Sequence, residues 1–174
     1  MMSKHFIGYE HRDILIDKKY VDIYSDAYPN FGWQIERKGA GKEHHDKTLL
    51  KMKRDRKLIN QTELKRLQRK FESKMANIEK LERLKTLSPT IVASIIGLIG
   101  TAFVAGSVFA NDVGYTIGMI VLGTVGLVGW ILPYPVFKHR MIKSTHKYQP
   151  LIDHEYDLVY EICEKAYTLS RVID

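Results

Sequence analysis

The stretch TIVASIIGLIGTAFVAGSVFA-ND-VGYTIGMIVLGTVGLVGWIL, residues 90–132, decides the architecture of this 174-residue chain. Thr90–Ala110 and Val113–Leu132 each supply the roughly 20 apolar residues that a helix needs to cross the hydrocarbon core of a bilayer. Neither run contains Lys, Arg, Glu, Asp or His, and only Asn111 and Asp112 part them. So short a connection predicts an antiparallel transmembrane hairpin. A core hairpin of a soluble protein is the alternative, but two adjacent charge-free runs of this length are rare in soluble domains of this size.

The flanks give the hairpin a direction. Lys80, Arg83 and Lys85 precede it and Lys138, Arg140, Lys143 and Lys147 follow it, whereas the connecting turn has no Lys or Arg. The positive-inside rule then places both termini in the cytoplasm. Trp130 and Tyr134 suit an inner-leaflet aromatic belt, and Pro133 and Pro135 are expected to end the helix there. The start, MMSKHFIGYEHRD, lacks the apolar core and cleavage site of a signal peptide. Cys163 is the single cysteine, which excludes an internal disulfide.

Charge is concentrated. Lys51–Thr86 carries a net +8, more than the formal +7 of the whole chain, and Pro150–Asp174 a net −4. Residues 60–86 read as one long basic helix, with Asn60 and Glu63 in capping-box positions. Leu64, Leu67, Phe71, Met75, Ile78, Leu81 and Leu84 make its apolar stripe. Ser88-Pro89 suggests a cap and a joint or bend before the first span. A second helix should open at Pro150, with Leu151, Leu158, Ile162, Ala166, Leu169 and Ile173 as its stripe. The two cytoplasmic helices are expected to pair antiparallel, with Glu155, Asp157, Glu161 and Glu164 turned to a basic neighbour, although one stripe could instead serve another subunit or protein.

The N-terminal part reads as βαββ. Phe6–Ile16 has strand content, and Asp17 could cap a short helix bearing Val21, Tyr24 and Tyr28 and ending at Pro29-Asn30. Trp33–Arg37 and Thr48–Arg54 are the further strands, with turn residues Lys38-Gly39-Ala40-Gly41 between them. Three short words, Phe6-Ile7-Gly8-Tyr9-Glu10, Asn30-Phe31-Gly32-Trp33 and Lys51-Met52-Lys53-Arg54-Asp55-Arg56-Lys57, occur in this region. In that order they resemble a group of bacterial two-pass membrane proteins of uncharacterised function and are similar to small bacterial βαββ domains. The resemblance covers about a third of the chain; it implies a bacterial inner-membrane setting and brings no catalytic residues.

Candidate chemistry is sparse. His44-His45-Asp46 could contribute metal ligands, but adjacent side chains on a strand diverge, and no zinc or calcium pattern supplies the rest. His154-Glu155 lacks a second ligand one turn away, and Cys163 reads as a half-buried structural thiol. Gly39-Ala40-Gly41-Lys42 lacks the remainder of a phosphate loop and reads as a hairpin turn. No nucleophile elbow or kinase signature occurs. We therefore expect no catalytic residue, metal or cofactor.

Glycine is the stronger signal, because eight of the twelve lie in the spans. Ala93, Gly97, Thr101 and Ala105 on the first helix, with Gly114 and Gly118 on the second, form small-residue faces suited to close helix packing in lipid. Packing within the hairpin, a homo-oligomer and docking on a larger membrane protein are all compatible with them. Lys80, Arg83, Lys85, Lys138, Arg140 and Lys143 are expected to meet anionic inner-leaflet lipid. Lys51–Lys57 or Lys65–Lys74 could meet an acidic protein partner, whereas nucleic acid fits poorly because these charges interleave with a buried stripe.

The expected fold is an α-helical membrane protein: a head at 1–58, a basic helix at 59–87, a hairpin at 88–137, and a basic-then-acidic segment at 138–174. Leu64, Leu67, Phe71 and Ile78 would pair with Leu158, Ile162 and Leu169. The expected function is non-enzymatic anchoring of a head that binds or regulates a protein partner. A small oligomeric channel or transporter is the alternative, disfavoured by the lack of ionisable groups in the spans.

Overall fold

The computed structural model describes residues 8–40 and 46–171. In order come strand β1 (Tyr9–Asp17), helix α1 (Val21–Ala27), strands β2 (Trp33–Ala40) and β3 (Lys47–Asp55), and helices α2 (Gln61–Asp112), α3 (Thr116–Ile131) and α4 (Pro133–Arg171). The protein is mostly helical, with one small antiparallel sheet in the βαββ order expected. Two compact units emerge: Met1–Ala76 with Tyr156–Asp174, and Asn77–Glu155. Residues from Tyr156 onward thus join the N-terminal head.

In the first unit the strand order is β1-β3-β2, antiparallel throughout. Strand alternation sorts β1 into exposed Tyr9, His11, Asp13 and Leu15 and more covered Glu10, Arg12, Ile14 and Ile16. On central β3 the buried positions are Leu50, Met52 and Arg54. A register shift between Ile35 and Arg37 marks a bulge in β2. Across the outer face Lys53 pairs with Glu36 at 2.8 Å and Lys51 with Asp13 at 3.3 Å. Within the basic run Lys51–Lys57, Lys51 and Lys53 face acids across the sheet and Arg54 is buried, whereas Arg56 and Lys57 are exposed.

Asp17 does not cap with its side chain; a 3-10 turn at Lys18–Tyr20 leads into α1 instead. The expected stop at Pro29-Asn30 falls slightly later, because Tyr28–Phe31 forms another 3-10 turn that Gly32 ends at φ 81°. A side chain at Gly32 would also meet Leu58 Cδ2 at 2.5 Å, so backbone and space both demand glycine. The turn delivers Tyr28 and Phe31 to an aromatic core with Tyr24 and Phe71. Phe71 lies 5.3, 6.0 and 5.6 Å from the Tyr24, Tyr28 and Phe31 rings.

The α2 stripe is buried at Leu64, Leu67, Phe71, Met75 and Ile78, half-buried at Leu81 and exposed at Leu84. Head aromatics, rather than only a second helix, cover Phe71. On α4 the buried positions are Ile152, Val159, Ile162 and Ala166, with Leu158 and Leu169 half-buried. Leu151 is exposed, so the covered face is rotated from the expected stripe, whose Ile173 lies outside the described residues. Of the acidic side chains of α4, Glu161 pairs with Lys165 on its own helix, and Asp157 and Glu164 are exposed. Asn60 enters α2 at φ 60°, while its carbonyl accepts from the Leu64 amide. That left-handed entry replaces the extended cap that a capping box requires.

In the second unit Pro89 and Pro150 do not interrupt their helices. α2 continues through Pro89 as one helical element, and α4 contains Pro150 instead of opening there. An interior proline deprives the carbonyl four residues earlier of its donor, at a cost of about 3 kcal/mol. At Pro89 that carbonyl belongs to Lys85, and the Ser144 hydroxyl donates to it at 2.8 Å. A side chain from α4 thus satisfies the group that the proline orphans, and the Lys85 ammonium donates to Gln149 beside it at 2.8 Å. The second apolar helix ends at Ile131, just before Pro133 as expected, but the chain resumes at once as α4. Only Leu132, with helical dihedrals, separates α3 from α4, and Pro133 occupies a first position where its missing N–H is tolerated.

The hairpin turn is at Val113–Tyr115, not Asn111-Asp112, which close α2. Gly114 at φ 77° donates to the Asn111 carbonyl at 2.9 Å, and the Tyr115 amide reaches Ala110 at 2.9 Å. This pair of bonds is a Schellman C-cap. Gly114 thereby serves the turn's backbone rather than helix packing. Gly118 lies against the Tyr115 ring, which a Cβ there would strike. The close crossing of α2 and α3 is made elsewhere, by Gly100, Gly126 and Gly129. A Cβ on Gly129 would stand 2.7 Å from Gly100 Cα, and one on Gly126 would stand 2.8 Å from the Val104 amide nitrogen.

Candidate functional site

The sheet's register assembles the head's polar site. Arg54 on β3 stands opposite Glu10 on β1 and Trp33 on β2. Its Nη2 donates to Glu10 Oε2 at 2.8 Å, and its guanidinium lies 4.3 Å from the Trp33 ring centroid. Its Nη1 is 3.5 Å from both the Phe31 carbonyl and Gln68 Oε1. At 2% exposure Arg54 is a buried cation, tolerable only because a carboxylate and an aromatic face flank it. Glu10, Trp33 and Arg54 come from the three separate sequence words, which the fold thus brings to one place.

From there a hydrogen-bonded chain runs along α2. Trp33 Nε1 donates to Gln68 Oε1 at 2.9 Å, and Gln68 Nε2 donates to Glu72 Oε1 at 2.8 Å. Glu72 also accepts from Tyr28 at 2.9 Å and takes a two-pronged bond from Arg12 at 2.8 and 3.3 Å. Gln68 and Glu72 sit one residue beyond Leu67 and Phe71, which places both polar groups at the edge of the buried stripe. A cleft of about 320 Å³ opens among Glu10, Arg12, Trp33, Arg54, Lys65, Gln68, Arg69 and Glu72.

The electrostatics suit fixed charge rather than proton transfer. The hydrogen bond from Arg54 holds the Glu10 carboxyl below its usual range. Burial opposes ionisation of Glu72, but bonds from Gln68, Arg12 and Tyr28 outweigh it and also leave that carboxyl lowered. Burial, then the adjacent Glu72 charge, pushes Tyr28 upward. None of these three groups is shifted towards neutrality, where a general acid or base works best. The linkage sign follows from the lowered carboxyls. Their stabilisation is fully present above the unfolded glutamate value of about 4.3 and is lost as pH falls through the lower folded values. Thermal unfolding of the wild type should therefore drop more between pH 7 and pH 3 than that of Glu72→Gln; parallel curves would contradict this.

The remaining candidates are dispersed. Phe6, Ile7, Gly41, Lys42, His44 and His45 lie outside the described residues, and Gly39 belongs to β2 opposite Leu49. Among the described residues no group of three or more His, Cys, Asp or Glu is placed to hold a metal. His154 is exposed on α4. Burial raises the half-buried Cys163 thiol to about 11 despite a hydrogen bond with Asn30. Lys80, Arg83, Lys138, Arg140 and Lys143 are exposed, whereas Lys85 is engaged by Gln149. Ala93 and Gly97 are half-buried, and a Cβ on Gly97 would meet only Pro133 at 3.9 Å. Thr101 accepts from Trp130 Nε1 at 3.2 Å, and Ala105 is exposed.

Arg12, Arg54, Gln68 and Glu72 carry little local signal, because charged and polar residues on short strands and helix flanks look like solvated surface. The discernible signal was Arg54 itself, which shares the alternating phase of Leu50 and Met52. No protein-family model matches this sequence, and no curated protein or solved structure is significantly similar to it.

Proposed function

We propose that this chain is an integral membrane protein whose α2–α3 hairpin anchors a small α+β head that binds or regulates a protein partner without catalysing a reaction. The observation that carries the reading is apolar exposure. Two helices are long and apolar enough to cross a membrane, yet only 11% of the most apolar window of each is buried. Leu98 and Phe109 are 70% exposed, as is Ile117, and Ile131 is 71% exposed. A core hairpin in a soluble protein would bury such side chains, because each gains on the order of 2 kcal/mol by leaving water. Hydrocarbon is the solvent in which this surface is stable, and the span hydroxyls fit it. Thr101, Ser107 and Thr124 donate to carbonyls of their own helices, which lowers the cost of placing these hydroxyls in lipid.

Orientation rests on the flanking charge. The Val113–Tyr115 turn carries no cation, while Lys80, Arg83, Lys138, Arg140 and Lys143 flank the apolar segments. Near an anionic leaflet each cation contributes about 1 kcal/mol. Both termini are accordingly assigned to the cytoplasm, and the bacterial inner membrane is the setting that the resemblance of the three N-terminal words implies. Alkaline carbonate extraction of membranes should leave the protein in the pellet, and a reporter fused after Asp174 should be active in the cytoplasm. Release into the supernatant, or a reporter active only outside the cytoplasm, would overturn the reading.

A further inference from the structure

Beyond anchoring, the head cleft has the makings of a ligand site. Its volume of about 320 Å³ falls at the lower end for small-molecule pockets. Four cations and two carboxylates line it. Arg12 is matched by Glu72, and Arg54 by Glu10. Two positive charges are left over. Lys65 makes only a 3.8 Å approach to Glu10 Oε2, an oxygen already bonded to Arg54. Arg69 is exposed and has no acidic partner among the described residues.

Lys65 and Arg69 are four residues apart on α2, so like charges occupy neighbouring positions on one helical face, an arrangement that disfavours the helix unless an anion lies between them. A second observation concerns the interior of the cleft. The Nε–H of Arg54 is buried without a hydrogen-bond acceptor, although the residue is 98% buried by its 2% exposure. A buried guanidinium with spare donor capacity beside a two-charge excess is an environment built for an oxyanion rather than for a neutral or cationic molecule.

We propose that this cleft binds a phosphate monoester group, with Lys65 and Arg69 holding its oxygens at the rim and Arg54 supplying the fixed positive field behind them. The excess of two charges matches the dianion that a phosphate monoester presents near neutral pH. A carboxylate would leave one cation uncompensated. The phosphate could belong to a soluble metabolite or to a lipid headgroup, and the same chemistry recognises either. The proposal does not depend on the anchoring reading, because every residue it uses lies in the unit of Met1–Ala76 with Tyr156–Asp174, outside the apolar segments.

The test uses the full chain in neutral detergent or in phosphatidylcholine nanodiscs. Inorganic phosphate and glycerol 3-phosphate are titrated by calorimetry in one arm. In the other, phosphatidic acid is added to the nanodiscs and Trp33 fluorescence is followed during unfolding in a Trp130→Phe background. Saturable binding in the first arm identifies a soluble source, and stabilisation confined to the second a lipid source; either supports the site. K65Q/R69Q should weaken the response at least tenfold while its unliganded melting temperature is unchanged or higher, with R69Q alone intermediate. No saturable response in either arm, or a K65Q/R69Q variant that responds like the wild type, would overturn the proposal.

Discussion

Arg54→Ala should destabilise the head by about 3–5 kcal/mol, the range found when one partner of a buried ion pair is removed. The truncation strips Glu10 of its 2.8 Å donor and uncovers the Trp33 ring, on which the guanidinium lies. Gln68 loses a weaker contact at 3.5 Å but keeps its bond from Trp33. Arg54→Lys should recover only part of the loss, since a point charge cannot both bond Glu10 and cover the ring. Denaturant unfolding followed by Trp33 emission, again with Trp130→Phe, measures the difference. A cost below about 1 kcal/mol, the range of exposed pairs, would show that Arg54 is solvated rather than buried.

The second large effect concerns the helix crossing. Cysteines replacing Ser107 and Gly123 should form an intrachain disulfide in a Cys163→Ser background, because a Cβ built on Gly123 stands 3.7 Å from Ser107 Cβ. That separation is close to the mean for natural disulfides, about 3.8 Å. Adding Gly100→Leu should reduce cross-linking to background. Even a single Cβ at Gly100 would stand 2.9 Å from the Gly129 carbonyl carbon and 3.1 Å from the Gly126 oxygen, both rigid backbone. Gly97→Leu, by contrast, faces only Pro133 Cγ at 3.9 Å from its Cβ and should leave most of the cross-link intact. Equal yields from the two variants would exclude the crossing described.

These two predictions mark different kinds of legibility. The apolar runs, the βαββ order and the α2 stripe follow from local composition and periodicity, so residues 90–132 and Leu64, Leu67, Phe71 and Ile78 could be read directly. Which glycines touch was not readable in that way. Small residues recur on several faces of both span helices, and the phase of contact is set by how the Gly114 turn aims α3 back along α2. Within the hairpin the close approach is carried by Gly100 with Gly126 and Gly129, beside the face of Ala93, Gly97, Thr101 and Ala105. Prolines were misleading for a related reason. Pro89 looks like a break when its own helix is considered alone, and the donor that compensates Lys85 comes from Ser144, 59 positions away.

The head's site belongs to the same class. Glu10, Trp33 and Arg54 are separated by long stretches of chain, and nothing local states that they are neighbours. Strand register makes them so, and register depends on which faces are buried across the whole sheet. Sequence by itself determined the elements, the membrane-compatible apolar length and the sign of the charge beside it, because each depends on residues close together along the chain. Tertiary structure decided which cations are neutralised, which prolines are tolerated and which glycines are indispensable. Those outcomes depend on single donors, acceptors and contact distances of a few ångströms, supplied by residues that only folding brings together.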